Sequence, residues 1–67
     1  MNIVILNDSP REVVPDQSVA DLLNELVLPA RGIAVAVNGE VVRRRDWPTH
    51  QLHDGDRVEV LTAAQGG

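Results

Sequence analysis

The last two residues, Gly66 and Gly67, have the type and position best suited to chemistry. With Gly67 as the C-terminal residue, the reactive group is a carboxylate, which is ionised at neutral pH. A carboxylate becomes a useful electrophile only after activation, most simply by attacking the α-phosphate of ATP to form an acyl-adenylate, whose carbonyl is open to a sulfur or nitrogen nucleophile. Two residues without Cβ atoms can enter a narrow channel in an activating enzyme. We therefore expect reaction at Gly67, with Gly66 and Gln65 giving access.

The other chemistry-bearing side chains form weaker patterns. Cysteine is absent, which excludes thiolate catalysis, disulfides and iron–sulfur ligation by this chain. His50 and His53 have a spacing that a helix could use for a metal ion, but no third ligand is evident and Pro48 interrupts regular structure. The sequence therefore predicts no metal site and no cofactor bound by the chain itself.

Charge argues against nucleic acid as a partner. The 67 residues carry ten carboxylates and six cations, a formal charge of −4, whereas phosphate backbones favour basic surfaces. The only cationic run, Arg43–Arg45, is bracketed by Glu40 and Asp46. Two interpretations of this run are open: a solvated turn, or docking to a carboxylate-rich partner.

Hydropathy gives no sign of a membrane segment. The longest apolar run, Ile33–Val37, is far too short to span a bilayer, and the N-terminus turns polar at Asn7 and Asp8 before a signal peptide could develop. The expected location is the cytoplasm.

The elements that must position the terminus follow from periodicity. Residues 1–6 and 11–14 predict a hairpin around the turn residues 7–10. Ser18 and Asp21 predict a capped helix with an apolar stripe, which ends at Pro29 and Gly32. The apolar run Ile33–Val37 predicts a strand covered on both sides. Asn38-Gly39 predicts a turn that joins it to a partner strand at 40–43. An irregular connection over 44–53, in which Trp47 covers the small core, leads to a tight turn at 54–56 and a last strand at 57–62.

This β-β-α-β-β-β order predicts an α+β domain of the β-grasp type over residues 1–62, with a flexible tail over 63–67. The sheet is mixed, with four to five strands, and one helix packs across one face; the first and last strands pair in parallel. The predicted core consists of Ile3, Ile5, Val19, Leu22, Leu23, Leu26, Val41, Leu52, Val58 and Val60. The opposite face would carry Val4, Leu6 and Leu61, an uncovered apolar patch that either docks a partner or is ordinary surface.

The whole chain resembles the ThiS family, the sulfur carrier proteins of thiamin (thiazole) biosynthesis. The resemblance rests on residues 18–23 of the helix, on Asn38-Gly39-Glu40-Val41-Val42, on Arg45-Asp46-Trp47, on Leu52-x-Asp54-Gly55-Asp56 and on the Gly66-Gly67 end. The Gly-Gly ending alone is shared with ubiquitin and with the small subunit of molybdopterin synthase.

The resemblance implies a reaction cycle at Gly67. A ThiF-type adenylating enzyme using Mg-ATP would form the acyl-adenylate, and a cysteine desulfurase or other persulfide donor would convert it to a thiocarboxylate. Thiazole synthase (ThiG) would then take the sulfur. In this cycle the chain is a carrier and not an enzyme. The alternatives are a sulfur carrier for molybdopterin or cysteine synthesis, a ubiquitin-like modifier conjugated through Gly67, and an interaction module with an inert tail.

Overall fold

The computed structural model describes residues 1–28 and 32–62. Within them, the chain forms a five-stranded sheet of order β2-β1-β5-β3-β4 and one α-helix. The β1 and β5 strands pair in parallel and all other neighbours pair antiparallel. The predicted β-grasp arrangement is thereby confirmed. The elements are β1 (Asn2–Leu6), β2 (Ser9–Val13), α1 (Val19–Leu26), β3 (Ile33–Val37), β4 (Glu40–Val42), a 3-10 turn (Arg44–Asp46) and β5 (Arg57–Thr62).

Two tight turns build the hairpins. Asn38 and Gly39 join β3 to β4 with φ of 53° and 86°, as the Asn-Gly pair predicts. Asn7 and Asp8 join β1 to β2 in the same way, with φ of 47° and 70°. Because the first turn needs only two residues, β2 begins at Ser9, two residues earlier than predicted.

The helix begins as the sequence predicts but ends differently. The Ser18 hydroxyl accepts a hydrogen bond from the Asp21 backbone N–H, and the Asp21 carboxylate accepts one from the Ser18 N–H, which completes a capping box. The helix stops at Leu26, and Val27 caps it in the left-handed conformation, with φ 54° and ψ 53°. The expectation that Pro29 and Gly32 end the helix was therefore wrong, since the last helical residue comes before both.

The first strand faces the opposite way from the prediction. Val4 is fully buried and Leu6 packs against the core, whereas Ile3 is 37% exposed. The parallel pairing sets this orientation, because Leu6 lies beside the buried Val58 and neighbouring residues in paired strands point to the same face. Since side chains alternate along a strand, fixing Leu6 on the core face also fixes Val4 there and turns Ile3 outward.

The second hairpin needs a similar correction. Val42, paired with Val35, enters the core, and the predicted core residue Val41 is 77% exposed. Ile33–Val37 is covered on one side only, because Val35 and Val37 are buried while Ala34 is exposed. The helix covers a single face of the sheet, so an apolar residue at every position of β3 does not imply two covered faces.

The connection between β4 and β5 closes one side of the core. Leu52 is buried, and Trp47 is partly buried against the core, with its indole N–H donating to the Val42 carbonyl at 2.9 Å. The predicted covering role of Trp47 is confirmed. In the described part of the chain, no helix has the length and apolar character needed to cross a membrane.

Candidate functional site

The last strand carries the chain toward its C-terminus. β5 lies between β1 and β3 in the middle of the sheet and ends at Thr62, which pairs with Ile33. The predicted reacting residue Gly67 and the access residues Gly66 and Gln65 lie outside the described residues, as does the rest of the predicted tail, 63–67. Thr62 is thus the last described position before the candidate reactive terminus.

Side-chain amides bind the backbone of β5 at its first residue and again at its fourth. At the start of the strand, the Asn38 Oδ1 accepts from the Arg57 N–H at 3.0 Å, and the Asn38 Nδ2 donates to Asp56 Oδ1 at 3.0 Å. Three residues further on, the Asn7 side chain binds the Val60 backbone. Both asparagines have positive φ, a conformation that asparagine tolerates better than most residues. The turn residues that close the two hairpins therefore also fix the strand that leads to the tail.

The sheet surface away from the helix is mixed in character, and we call it the open face. Strand pairing brings onto it residues from all five strands: Ile3, Ile5, Pro10, Glu12, Ala34, Ala36, Val41, Arg57, Glu59 and Leu61. Arg57 and Glu59 occupy its central part, while Leu61, 66% exposed, lies one residue before the end of β5. The apolar surface nearest the tail is therefore centred on Leu61.

The predicted docking patch is only partly on the surface. Leu61 is exposed, and its docking role stays a prediction. Val4 was wrongly placed in this patch, because it is fully buried on the helix face, and Leu6 packs against the core on that same face. β1 also ends beside Val58, three positions before Leu61, a separation of about 10 Å along the strand. No residue of β1 therefore extends the surface next to Leu61.

A shallow groove of ≈ 450 Å³ lies where β5 ends. It is lined by Gly32, Ile33, Ala34, Leu61 and Thr62, so most of its wall is apolar. The groove could receive an apolar side chain of a protein that approaches the terminus. Sequence reasoning missed this groove because it depends on the β3–β5 register, which places Ala34 beside Leu61.

The histidines do not come together with acidic groups as a metal site. In residues 1–28 and 32–62, no cluster of three or more histidine, aspartate or glutamate side chains could hold a metal ion. His53 lies in the turn before β5, where its backbone N–H donates to Asp56 Oδ2 at 2.8 Å.

Comparison with known proteins places this fold and its Gly-Gly end in one family. The model of the ThiS family matches residues 4–67, which include the helix, every strand after β1 and the Gly66-Gly67 end. The chain belongs to the ThiS family. The match covers most of the chain, as the resemblance in its motifs predicts.

Individual members of the ThiS family agree with this assignment. The chain is 31% identical over 64 residues to the sulfur carrier protein ThiS of Escherichia coli (strain K12), covering 96% of this chain and 97% of that protein. The crystal structure of the thiamine biosynthesis protein ThiS from Geobacter metallireducens superposes with a TM-score of 0.82 at 34% identity, covering 97% and 99% of the two chains. A thiazole synthase of Paramagnetospirillum magneticum (strain AMB-1) is 30% identical over 64 residues, which are 96% of this chain but 20% of that protein.

Proposed function

We propose that this chain is a sulfur carrier that acts through the terminal carboxylate of Gly67. The observation that carries the proposal is the extent of the ThiS family match, which runs through residue 67 and so includes the Gly-Gly end. The central position of β5 supports the proposal, because a strand paired on both sides holds in a fixed position the residue from which the tail begins. In this function the chain supplies a reacting group and a docking surface, and the catalytic groups belong to its partners.

The proposed chemistry converts the Gly67 carboxylate to a thiocarboxylate in three steps. The Gly67 carboxylate attacks the α-phosphorus of Mg-ATP on a ThiF-type adenylating enzyme, and pyrophosphate leaves. The terminal sulfur of a persulfide, carried by a cysteine desulfurase or another donor, then attacks the acyl-adenylate carbonyl and displaces AMP. A thiol cleaves the resulting acyl disulfide by attacking the donor's sulfur, which releases the thiocarboxylate and leaves a disulfide on the donor side.

The destination of the sulfur is proposed to be thiazole synthesis, with thiazole synthase (ThiG) as acceptor. The similarity to a fifth of a thiazole synthase supports this choice over molybdopterin or cysteine synthesis. That thiazole synthase contains, within one polypeptide, a segment similar to this chain. Complementation of a thiamin auxotroph, compared with a molybdopterin or cysteine auxotroph, separates these destinations.

Leu61 and the adjacent groove are the proposed docking surface for the adenylating enzyme. Exposed apolar groups beside a reactive terminus can be buried by the same protein that encloses the terminus. Leu61 and Thr62 line the groove and lie two residues and one residue before residue 63, which keeps the docking surface within reach of the site that takes up Gly67.

Intact-mass spectrometry with C-terminal fragmentation tests the proposal. After incubation with Mg-ATP, a ThiF-type enzyme and a persulfide donor, we expect one oxygen of Gly67 to be replaced by sulfur. Fragmentation is needed because oxidation of Met1 adds nearly the same mass at the other end. An unchanged Gly67, with the partner enzyme active on its own carrier, would contradict the proposal, and a set of higher-mass conjugates lost on deletion of Gly66 and Gly67 would favour a protein modifier.

A further inference from the structure

Three consecutive arginines, Arg43, Arg44 and Arg45, form an exposed cationic strip that we call the arginine ridge. The ridge follows β4 directly and includes most of the 3-10 turn. The proposed sulfur-carrier function makes no use of it.

The arginine ridge lies at the end of the sheet from which the tail departs. β4 and β5 both pair antiparallel with β3 and therefore run in the same direction. Thr62 ends β5 beside Ile33, and Ile33 also lines a cleft with Arg44 and Trp47. Since β3 alone separates β4 from β5, the ridge begins about two strand spacings, ~10 Å, to one side of the end of β5.

The central arginine is held in place before any partner binds. The Arg44 guanidinium carbon lies 5.4 Å from the centroid of the Trp47 ring, within the range of a cation–π contact. Trp47 is itself fixed by the hydrogen bond from its indole N–H to the Val42 carbonyl, and its backbone N–H donates to the Arg44 carbonyl at 3.1 Å. A guanidinium that is already oriented loses less conformational entropy when it pairs with an anion.

The ridge arginines differ from the other described arginines in their ionic partners. Arg11 lies 3.3 Å from Glu25 and Arg57 lies 3.5 Å from Asp8. Among residues 1–28 and 32–62, by contrast, no carboxylate lies within 4.0 Å of a ridge guanidinium. The ridge is therefore a local positive surface on a chain whose net charge is −4.

We propose that the arginine ridge docks against a carboxylate-rich rim around the opening through which the adenylating enzyme takes up the terminus. This inference rests on the proposed function. The residues 63–67 can extend at most about 18 Å, so groups ~10 Å to the side of their starting point meet the rim of the opening and not the reacting atoms. The side chains that best complement free guanidinium groups are aspartate and glutamate, so the rim that meets the ridge is expected to carry carboxylates.

Carboxylates suit the ridge better than nucleic acid phosphates. Guanidinium groups pair with carboxylates through two parallel hydrogen bonds. A 3-10 turn rises about 2 Å per residue, so the ridge backbone is only about 6 Å long and spans few phosphates of an extended strand. Asp46 within the turn and the acidic remainder of the chain repel a long polyanion.

Association kinetics with a ThiF-type enzyme, measured by stopped flow across a range of ionic strength, test the inference. For the triple variant R43Q/R44Q/R45Q we expect the association rate constant to fall about 10-fold at low salt and its salt dependence to flatten. The single variants Arg45→Gln and Arg11→Gln are a matched pair, because each removes one positive charge, and Arg11 lies on β2 at the far edge of the sheet. We expect Arg45→Gln to slow association more than Arg11→Gln.

The outcomes separate this inference from the proposed function. Pyrophosphate release with the unmodified chain reports whether the terminus is activated at all, and its absence would contradict the proposed function. Normal activation together with equal association rates for the triple variant and the unmodified chain would overturn the ridge inference alone. Equal slowing by Arg45→Gln and Arg11→Gln would also overturn the ridge inference, because it would show that only net charge matters. Ridge-dependent binding of a single-stranded oligonucleotide at physiological salt would overturn it as well. Circular dichroism of each variant confirms that the fold is retained.

Discussion

The side-chain amide of Asn7 pairs with the backbone of Val60 as a strand residue would. Its Oδ1 accepts from the Val60 N–H at 2.9 Å, and its Nδ2 donates to the Val60 carbonyl at 3.1 Å. β1 has already ended at Leu6, which pairs with Val58, so no residue of β1 reaches Val60. Asn7 therefore extends the parallel pairing of β1 with β5 by one step toward the tail.

Replacing Asn7 is expected to destabilise the fold through two separable effects. In Asn7→Gly both hydrogen bonds to Val60 are lost, and we expect unfolding free energy to fall by about 2 kcal/mol. Asn7→Ala loses the same bonds and, unlike the glycine variant, keeps a Cβ at φ 47°, so we expect it to be about 1 kcal/mol less stable than Asn7→Gly. Urea denaturation of both variants measures the two losses in unfolding free energy. A glycine variant as stable as the unmodified chain would show that the Val60 groups need no partner.

The sequence alone predicts the order and most bounds of the elements, because capping, turn and periodicity signals are local. It does not predict which face of β1 is buried, because Ile3, Val4, Ile5 and Leu6 are all apolar. The choice is made by the pairing of Leu6 with Val58, a contact between opposite ends of the chain. Val4 and Leu6 were misassigned to the docking patch for the same reason, whereas the Gly-Gly end is evident from the sequence without tertiary information.

The orientation of β1 gives a direct test in the core. Val4→Ala deletes two methyl groups at a fully buried site, and we expect a loss of about 2 kcal/mol in unfolding free energy. Ile3→Ala removes more atoms from a site that is 37% exposed, yet it should cost less. Chemical denaturation of the two variants measures their losses in unfolding free energy. A larger loss for Ile3→Ala would restore the orientation expected from the sequence.

The helix end offers a stabilising substitution. Val27 has φ 54° and is 86% exposed, so its branched side chain is strained and makes little packing contact. Glycine adopts this conformation without strain, and we expect Val27→Gly to raise unfolding free energy by about 1 kcal/mol. Val14→Gly is the matched control, because Val14 is also exposed but has no positive φ. We expect the control to lose stability in thermal unfolding, and a loss at Val27 as well would contradict the strain argument.

Two of the exposed apolar residues of the open face, Leu61 and Val41, provide a matched pair for docking. Leu61 borders the groove at the end of β5, whereas Val41 lies on the edge strand β4 and is similarly exposed. We expect Leu61→Asp to weaken binding to a ThiF-type enzyme by about 10-fold or more, because a carboxylate would be buried in an apolar contact. Val41→Asp should have a smaller effect in the same calorimetric titration. Equal effects would indicate a general charge response and would remove Leu61 from the docking surface.

Substitution of Gly66 tests whether the terminus enters a narrow channel. Gly66→Val places a branched Cβ next to the reacting residue, so we expect thiocarboxylate formation to fall at least about 100-fold, because small misplacements of a reacting group have large effects on rate. Ala64→Val introduces the same branched side chain two residues earlier, by adding two methyl groups to an existing Cβ, and should reduce the rate less. The yield of thiocarboxylate by mass spectrometry measures both, and unchanged urea midpoints would show that the fold is not involved. Normal thiocarboxylate formation by the Gly66→Val variant would show that the activating site accommodates a branched side chain, which would contradict the narrow-channel expectation.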